Sequence, residues 1–120
     1  MALIVDEKTF VPEVLDASTP VLVNFWAPWC GLCRLVSPML NRLHVESEDA
    51  IKLVSINADD NLRLANTYRL TSLPTIMVFR HGQVIYRLDE FKTHDELRNS
   101  IHELHTTLLS QYALSYGYSI

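Results

Sequence analysis

Cys30 and Cys33 are the cysteines of this chain, and their spacing, Cys-Gly-Leu-Cys, lets a disulfide close across one helical turn. Sulfur at that spacing can exchange with other disulfides, supply two ligands to a zinc ribbon or anchor a haem. The surrounding residues favour exchange. Residues 21–26, Val-Leu-Val-Asn-Phe-Trp, form an almost unbroken apolar, β-branched and aromatic run, which reads as a strand covered on both faces. A short turn then delivers Cys30 to the start of a helix, where unpaired backbone N–H groups favour an anion. That placement favours the thiolate, the reactive form of sulfur. A permanent structural crosslink is the weaker reading, because so short a loop removes little entropy from the unfolded chain.

Metal chemistry fits less well. His102 and His105 lie one helical turn apart, and His44, His81 and His94 are also present, but a zinc site needs four convergent ligands. These histidines read as exposed surface residues, and no metal is expected.

The elements that must hold the cysteines alternate along the chain. Ala2–Val5 suits a short edge strand, and Asp6 opens a helical pattern carrying Phe10, Val14 and Leu15, with Pro12 early enough to be tolerated. From Cys33 to about Glu48, Leu35, Val36, Met39, Leu40 and Leu43 recur at helical spacing, and Pro38 is expected to kink that helix. Ile51–Ile56 reads as a strand, Asn57–Asn61 as a turn with capping residues and Leu62–Tyr68 as a short helix. Ile76–Phe79 is a second strongly apolar strand, and His81-Gly82 turns it into Val84–Leu88. Thr93 and Glu96 form a capping box ahead of Leu97, Ile101, Leu104 and Leu108 on one helix face. Strands alternating with helices imply right-handed crossovers and parallel pairing, closed by an antiparallel hairpin.

At 120 residues the chain suits one domain, and 48% hydrophobic with 20% charged residues is an ordinary globular balance. A net charge of -4 offers no basic footprint for nucleic acid or an anionic membrane surface. Met1–Val5 lacks the length and basic flank of a secretory signal, and no apolar run reaches membrane-spanning length. The sequence reads as a cytoplasmic monomer, where a lone close cysteine pair is redox-active rather than structural.

The segment Phe25-Trp26-Ala27-Pro28-Trp29-Cys30-Gly31-Leu32-Cys33-Arg34 resembles the active site of thioredoxins, and the resemblance runs from about residue 2 to 105. It implies the α/β thioredoxin fold, a central mixed five-stranded sheet flanked by four helices, over residues 1–105. Residues 106–120 become a C-terminal extension, a helix end plus a tail carrying Tyr112, Tyr116 and Tyr118. The implied activity is protein-disulfide reduction. Cys30 is then the more exposed attacking thiol and Cys33 the resolving one. No bound cofactor is needed; electrons come from a thioredoxin reductase, NADPH- or ferredoxin-dependent, and pass to disulfide-bearing proteins. Leu73-Pro74 resembles the family's cis-proline loop, whose backbone holds an extended substrate beside Trp29, Gly31 and Leu32. Trp26 reads either as part of that apolar surround or as core packing.

Three departures stand out. Leu32 replaces the usual proline between the cysteines, which frees the turn and restores an N–H near the thiolate. Asn24 and Ser55 replace a buried aspartate and lysine, so a neutral hydrogen-bonded pair is expected in place of an ion pair, with Cys33 deprotonating more slowly or through water. With Trp26, these are the residues assigned to proton transfer and tuning. Asp89 and Glu90 stand where an apolar residue and a glycine normally border the docking groove, so acidic partners should be repelled and the target range narrowed. The rival readings are a redox-regulatory or binding module with weak reductase activity, and an oxidase- or isomerase-biased variant.

Overall fold

The computed structural model describes residues 2–114, with side chains through Tyr112. Five strands form one sheet in the order β1-β3-β2-β4-β5: β1 Leu3–Ile4, β2 Val21–Trp26, β3 Lys52–Asn57, β4 Thr75–Arg80 and β5 Gln83–Leu88. Four helical segments flank it: a single π-type turn at Val11–Leu15, α1 Gly31–Glu46, α2 Leu62–Thr67 and α3 His94–Leu108. A 3-10 turn at Ala58–Asp60 precedes α2, and a π-type stretch, Leu109–Leu114, prolongs α3.

β2 and β4 sit at the centre, and every residue of Val21–Phe25 and Thr75–Phe79 is buried. Alternation along a strand sends successive side chains to opposite faces. Leu22, Leu53, Ile76 and Val78 pack with Val36, Leu40 and Leu43 of α1 and Leu97, Ile101, Leu104 and Leu108 of α3. Val23, Phe25, Val54, Ile56, Met77 and Phe79 pack on the other face with Phe10, Val14, Leu64 and Tyr68. Asn24, Trp26 and Ser55 have the same parity as Leu22 and Leu53. They therefore continue the α1 face, at the end of the sheet where α1 begins.

The β1–β3 and β2–β3 ladders are parallel, but β4 runs antiparallel to β2, with Phe25 opposite Thr75. This differs from the parallel pairing that helix–strand alternation suggested. The cause is the length of α2: six residues rise only about 9 Å, too little to return the chain along a six-residue strand of about 20 Å. β3 and β4 consequently meet at the same end of the sheet, the end that carries the cysteines.

Local capping explains most element ends. Asp6 Oδ1 accepts from the Lys8 and Thr9 N–H groups at 2.9 and 3.0 Å, and these bonds hold its carboxyl below the usual carboxylate range. The helix expected from Asp6 is thus a capped turn followed by the π-type turn. Thr93 Oγ1 accepts from Glu96 N–H at 3.0 Å, as a capping box requires, while the Glu96 carboxylate reaches back to Lys92 N–H rather than to Thr93. His81 and Gly82 both have positive φ, 52° and 79°, the mirror-image turn that suits a two-residue hairpin. α1 runs uninterrupted through Pro38.

Leu108 is fully buried, and Tyr112 packs on the core beneath the Arg80 guanidinium, 5.2 Å from its ring centroid. Tyr116 and Tyr118 lie outside the described residues. His105 Nε2 meets Glu46 Oε2 at 3.0 Å and ties α3 to α1, while His44 Nδ1 pairs with the Ile51 carbonyl at 2.7 Å.

Candidate active site

The β2 strand ends at Trp26, and a tight turn through Pro28 and Trp29 places Cys30 at the N-cap of α1. Cys30 and Cys33 are joined as a disulfide with Cα atoms 5.4 Å apart. The Cys33 N–H donates to Cys30 Sγ at 3.2 Å. The first turn of α1 thus directs an unpaired backbone donor at the first sulfur, an arrangement that favours negative charge there once the disulfide opens.

The cysteines are equally covered, 5% exposed for Cys30 and 6% for Cys33, so the expected greater exposure of Cys30 is not found in the oxidised chain. Ala27, Trp26, Leu32 and Leu73 pack around both sulfurs. Leu32, half-buried at the second position of α1, contributes to this cover and to the core beneath. Gly31 faces open space, since a Cβ there would meet nothing within 4 Å.

Two hollows flank the disulfide. The first is a cleft of about 290 Å³ lined by Cys30, Cys33, Asn24, Trp26, Ser55, Arg34 and Ser37, among others. Asn24 is only 7% exposed, and its Oδ1 is buried without a hydrogen-bond partner, as is Trp26 Nε1. Asn24 and Ser55 are cross-strand neighbours in the β2–β3 register, yet Asn24 Oδ1 takes no bond from Ser55. The expected hydrogen-bonded pair is not formed. The two side chains leave adjacent parallel strands side by side, and both residues line the cleft.

The second hollow is a groove of about 220 Å³ between Trp29 and the loop that enters β4, lined by Ala58, Asp59, Leu62, Leu70, Thr71, Ser72 and Leu73. Trp29 is 70% exposed, and its Nε1 donates to Asp59 Oδ2 at 2.9 Å. Leu73-Pro74 is a cis peptide, with Leu73 half-buried against the cysteines and Pro74 buried. Leu32 and Leu73 thus pack against the cysteines, and Trp29 and Leu73 both line the groove.

Asp89 and Glu90 are not free charges on the groove. Asp89 Oδ2 pairs with Arg87 Nε at 3.0 Å, and Glu90 Oε1 accepts from Thr71 Oγ1 at 3.1 Å. Sequence reasoning missed Asp59, Arg34, Ser37 and Arg87. Arg34 and Ser37 had a signal in their spacing, each four residues on from a cysteine, Cys30 and Cys33 respectively. Asp59 meets Trp29, and Arg87 the carbonyls of Tyr68 and Arg69, only through tertiary folding.

Comparison with known proteins agrees with this geometry. The thioredoxin family model matches residues 1–103. Thioredoxin 1 of Nostoc sp. is 47% identical over 81 residues, 68% of this chain and 76% of that protein. Thioredoxin of Pyropia yezoensis is 48% identical over 79 residues, 66% of this chain and 74% of that protein. The chloroplastic M-type thioredoxin of Chlamydomonas reinhardtii is 46% identical over 79 residues, 66% of this chain and 56% of its own length. With a redox-active cysteine pair at the cap of α1 and a family match across most of its length, the chain belongs to the thioredoxin family of thiol–disulfide oxidoreductases.

Proposed function

We propose that this protein reduces a particular set of protein disulfides, using Cys30 as the attacking and Cys33 as the resolving sulfur. The observation that carries the assignment is the Cys33 N–H aimed at Cys30 Sγ from the first turn of α1. In the reduced chain the Cys30 thiolate attacks one sulfur of the target disulfide. A mixed disulfide forms, and the first target thiolate leaves. Cys33, deprotonated at its sulfur, then attacks Cys30 Sγ, releases the second target thiolate and leaves the Cys30–Cys33 disulfide. Two electrons have passed to the target. A thioredoxin reductase returns two electrons, from one NADPH or from two reduced ferredoxins, and the balance of the two thiol protons is taken up from solvent.

Cys33→Ser incubated with a disulfide-bearing protein such as insulin should accumulate a mixed disulfide at Cys30, visible by mass spectrometry. Cys30→Ser should give no adduct and lose turnover by at least about a thousandfold. Turnover that survives Cys30→Ser defeats the assignment. Coupled assays with an NADPH-dependent and a ferredoxin-dependent reductase identify the electron source. The proposed location is the cytoplasm; the chloroplastic relatives favour a plastid as the alternative, and imaging of a tagged chain in its own cell separates the two.

A further inference from the structure

The end of β5 is bound to the loop before the cis-proline by a set of polar contacts that the redox chemistry itself does not use. Arg87 donates from Nη1 to the Tyr68 carbonyl and from Nη2 to the Arg69 carbonyl at 3.0 Å, while its Nε pairs with Asp89. Three residues on, the Glu90 N–H donates to Ser72 Oγ at 2.9 Å, and Glu90 Oε1 accepts from Thr71 Oγ1. Glu90 holds φ at 56° to do so, and Arg69 holds 51°. From the other direction, Thr75 Oγ1 donates to the Ser72 carbonyl at 2.8 Å. Residues 68–72 are therefore fixed at both ends, and 70–73 are the wall of the groove facing Trp29.

We propose that Arg87, Asp89 and Glu90 are positioning residues: a polar clamp that holds the Leu70–Leu73 wall in place and so sets affinity for extended polypeptide disulfides. The 68–73 loop carries Arg69 at positive φ and, being irregular backbone, has several alternatives open to it. The forked guanidinium, anchored by Asp89, selects one of them, because both carbonyls must point at the same planar group. A protein substrate laid along the wall needs that geometry before it binds. A small disulfide, which contacts only the sulfurs, does not.

This inference rests on the reductase reading above, and the experiment separates the two. Steady-state reduction of insulin and of a small aromatic disulfide is compared for the parent, Arg87→Gln, Glu90→Ala and Glu90→Gln. Arg87→Gln should raise KM for insulin about tenfold, the weight of a charge-assisted hydrogen bond. Its kcat for insulin and its rate with the small disulfide should stay within about twofold. Glu90→Ala should raise KM about threefold, and Glu90→Gln, which keeps an acceptor for Thr71, should return it to the parent value. Should Arg87→Gln not fold, the two Glu90 variants decide. Equal losses on both substrates, or an unchanged KM for insulin, overturn the clamp. A parent that reduces neither substrate overturns the reductase reading instead.

Discussion

The cleft and the groove on either side of the disulfide solve opposite problems with similar residue types. On the groove side, Trp29 has its indole N–H bound to Asp59, Ser72 is bonded through both its carbonyl and its hydroxyl, and Arg87 gathers two carbonyls and a carboxylate. On the cleft side, Trp26 Nε1 and Asn24 Oδ1 are buried without partners, although Trp26 is the same residue type as Trp29 and three positions away. An unsatisfied buried polar atom costs about 1–3 kcal/mol, so the asymmetry reflects the work on each side. A recognition wall gains from being fixed before the substrate arrives. The surroundings of a sulfur that alternates between disulfide, thiol and thiolate gain from room and from groups with spare hydrogen-bonding capacity. Among the described residues, Arg34 is the one ionisable group besides the cysteines in the cleft lining.

The sharpest way to break this contrast is to give the cleft a titrating group. Asn24→Asp places a carboxyl at a 93%-buried position, inferred from its 7% exposure, with no cation paired to it. Burial disfavours the ionised form, so the folded pKa lies above the unfolded value of about 3.9. The sign follows: the variant matches the parent below that value, loses stability as pH rises past it, and reaches a constant deficit once the native carboxyl ionises. The deficit should reach roughly 3 kcal/mol by chemical denaturation at pH 8. Adding Ser55→Lys, its cross-strand neighbour, should recover at least about half of it. Insulin reduction by Asn24→Asp should also become newly pH-dependent. An unchanged rate and pH profile would show that the cleft plays no part in protonating Cys33.

The two tryptophans give the next test. Trp29→Phe removes the donor to Asp59 from the groove and should weaken insulin binding about threefold to tenfold while leaving stability within about 0.5 kcal/mol. Trp26→Phe removes an indole N–H that is already unpaired, so the lost ring volume is offset by relief of the buried donor and the net cost should stay below about 1 kcal/mol. If Trp26→Phe costs more than Trp29→Phe in insulin KM, the two sides have been assigned the wrong way round.

Much of the groove and cleft was legible in order of sequence separation. Cys30, Cys33, Trp29 and Leu73-Pro74 belong to short motifs whose geometry is set within a few residues, and the strand Val21–Trp26 was readable from its apolar run alone. Asn24 was readable as unusual because it is the one polar residue in that run, but not as unpaired, since its empty surroundings depend on where α1 lies above β2. The antiparallel β4 was hidden because alternation carries no information about whether a connecting helix is long enough to cross the sheet. Asp89 and Glu90 were legible as charges but not as partnered ones. Asp89 is paired by Arg87, two residues back along the chain, whereas the partner of Glu90, Thr71, is brought in only by the approach of the 68–72 loop, a tertiary fact. The same holds for Glu7, whose Oε2 accepts from Arg63 and Leu64 N–H groups and caps α2 from 56 and 57 residues away.

The smallest expected effect probes how firmly the groove side is anchored to the core. Tyr68 supplies one of the two carbonyls held by Arg87, and its ring sits 5.5 Å from that of Phe79, 5.7 Å from that of Phe10 and 6.4 Å from that of Phe25. Burial among these rings pushes its phenol pKa above the ordinary value of 10.0. A group with a raised folded pKa contributes stability that is complete below the unfolded pKa and is lost as pH rises through the folded one. The native chain should therefore weaken as pH rises above about 10, by less than about 1 kcal/mol because the ring is only partly covered and solvent screens the charge. Tyr68→Phe keeps the ring contacts and has no proton to lose, so its alkaline loss, followed by urea denaturation at pH 9 and pH 11, should be smaller than the parent's. Equal losses would mean that ionisation of the Tyr68 phenol does not reach the aromatic anchor.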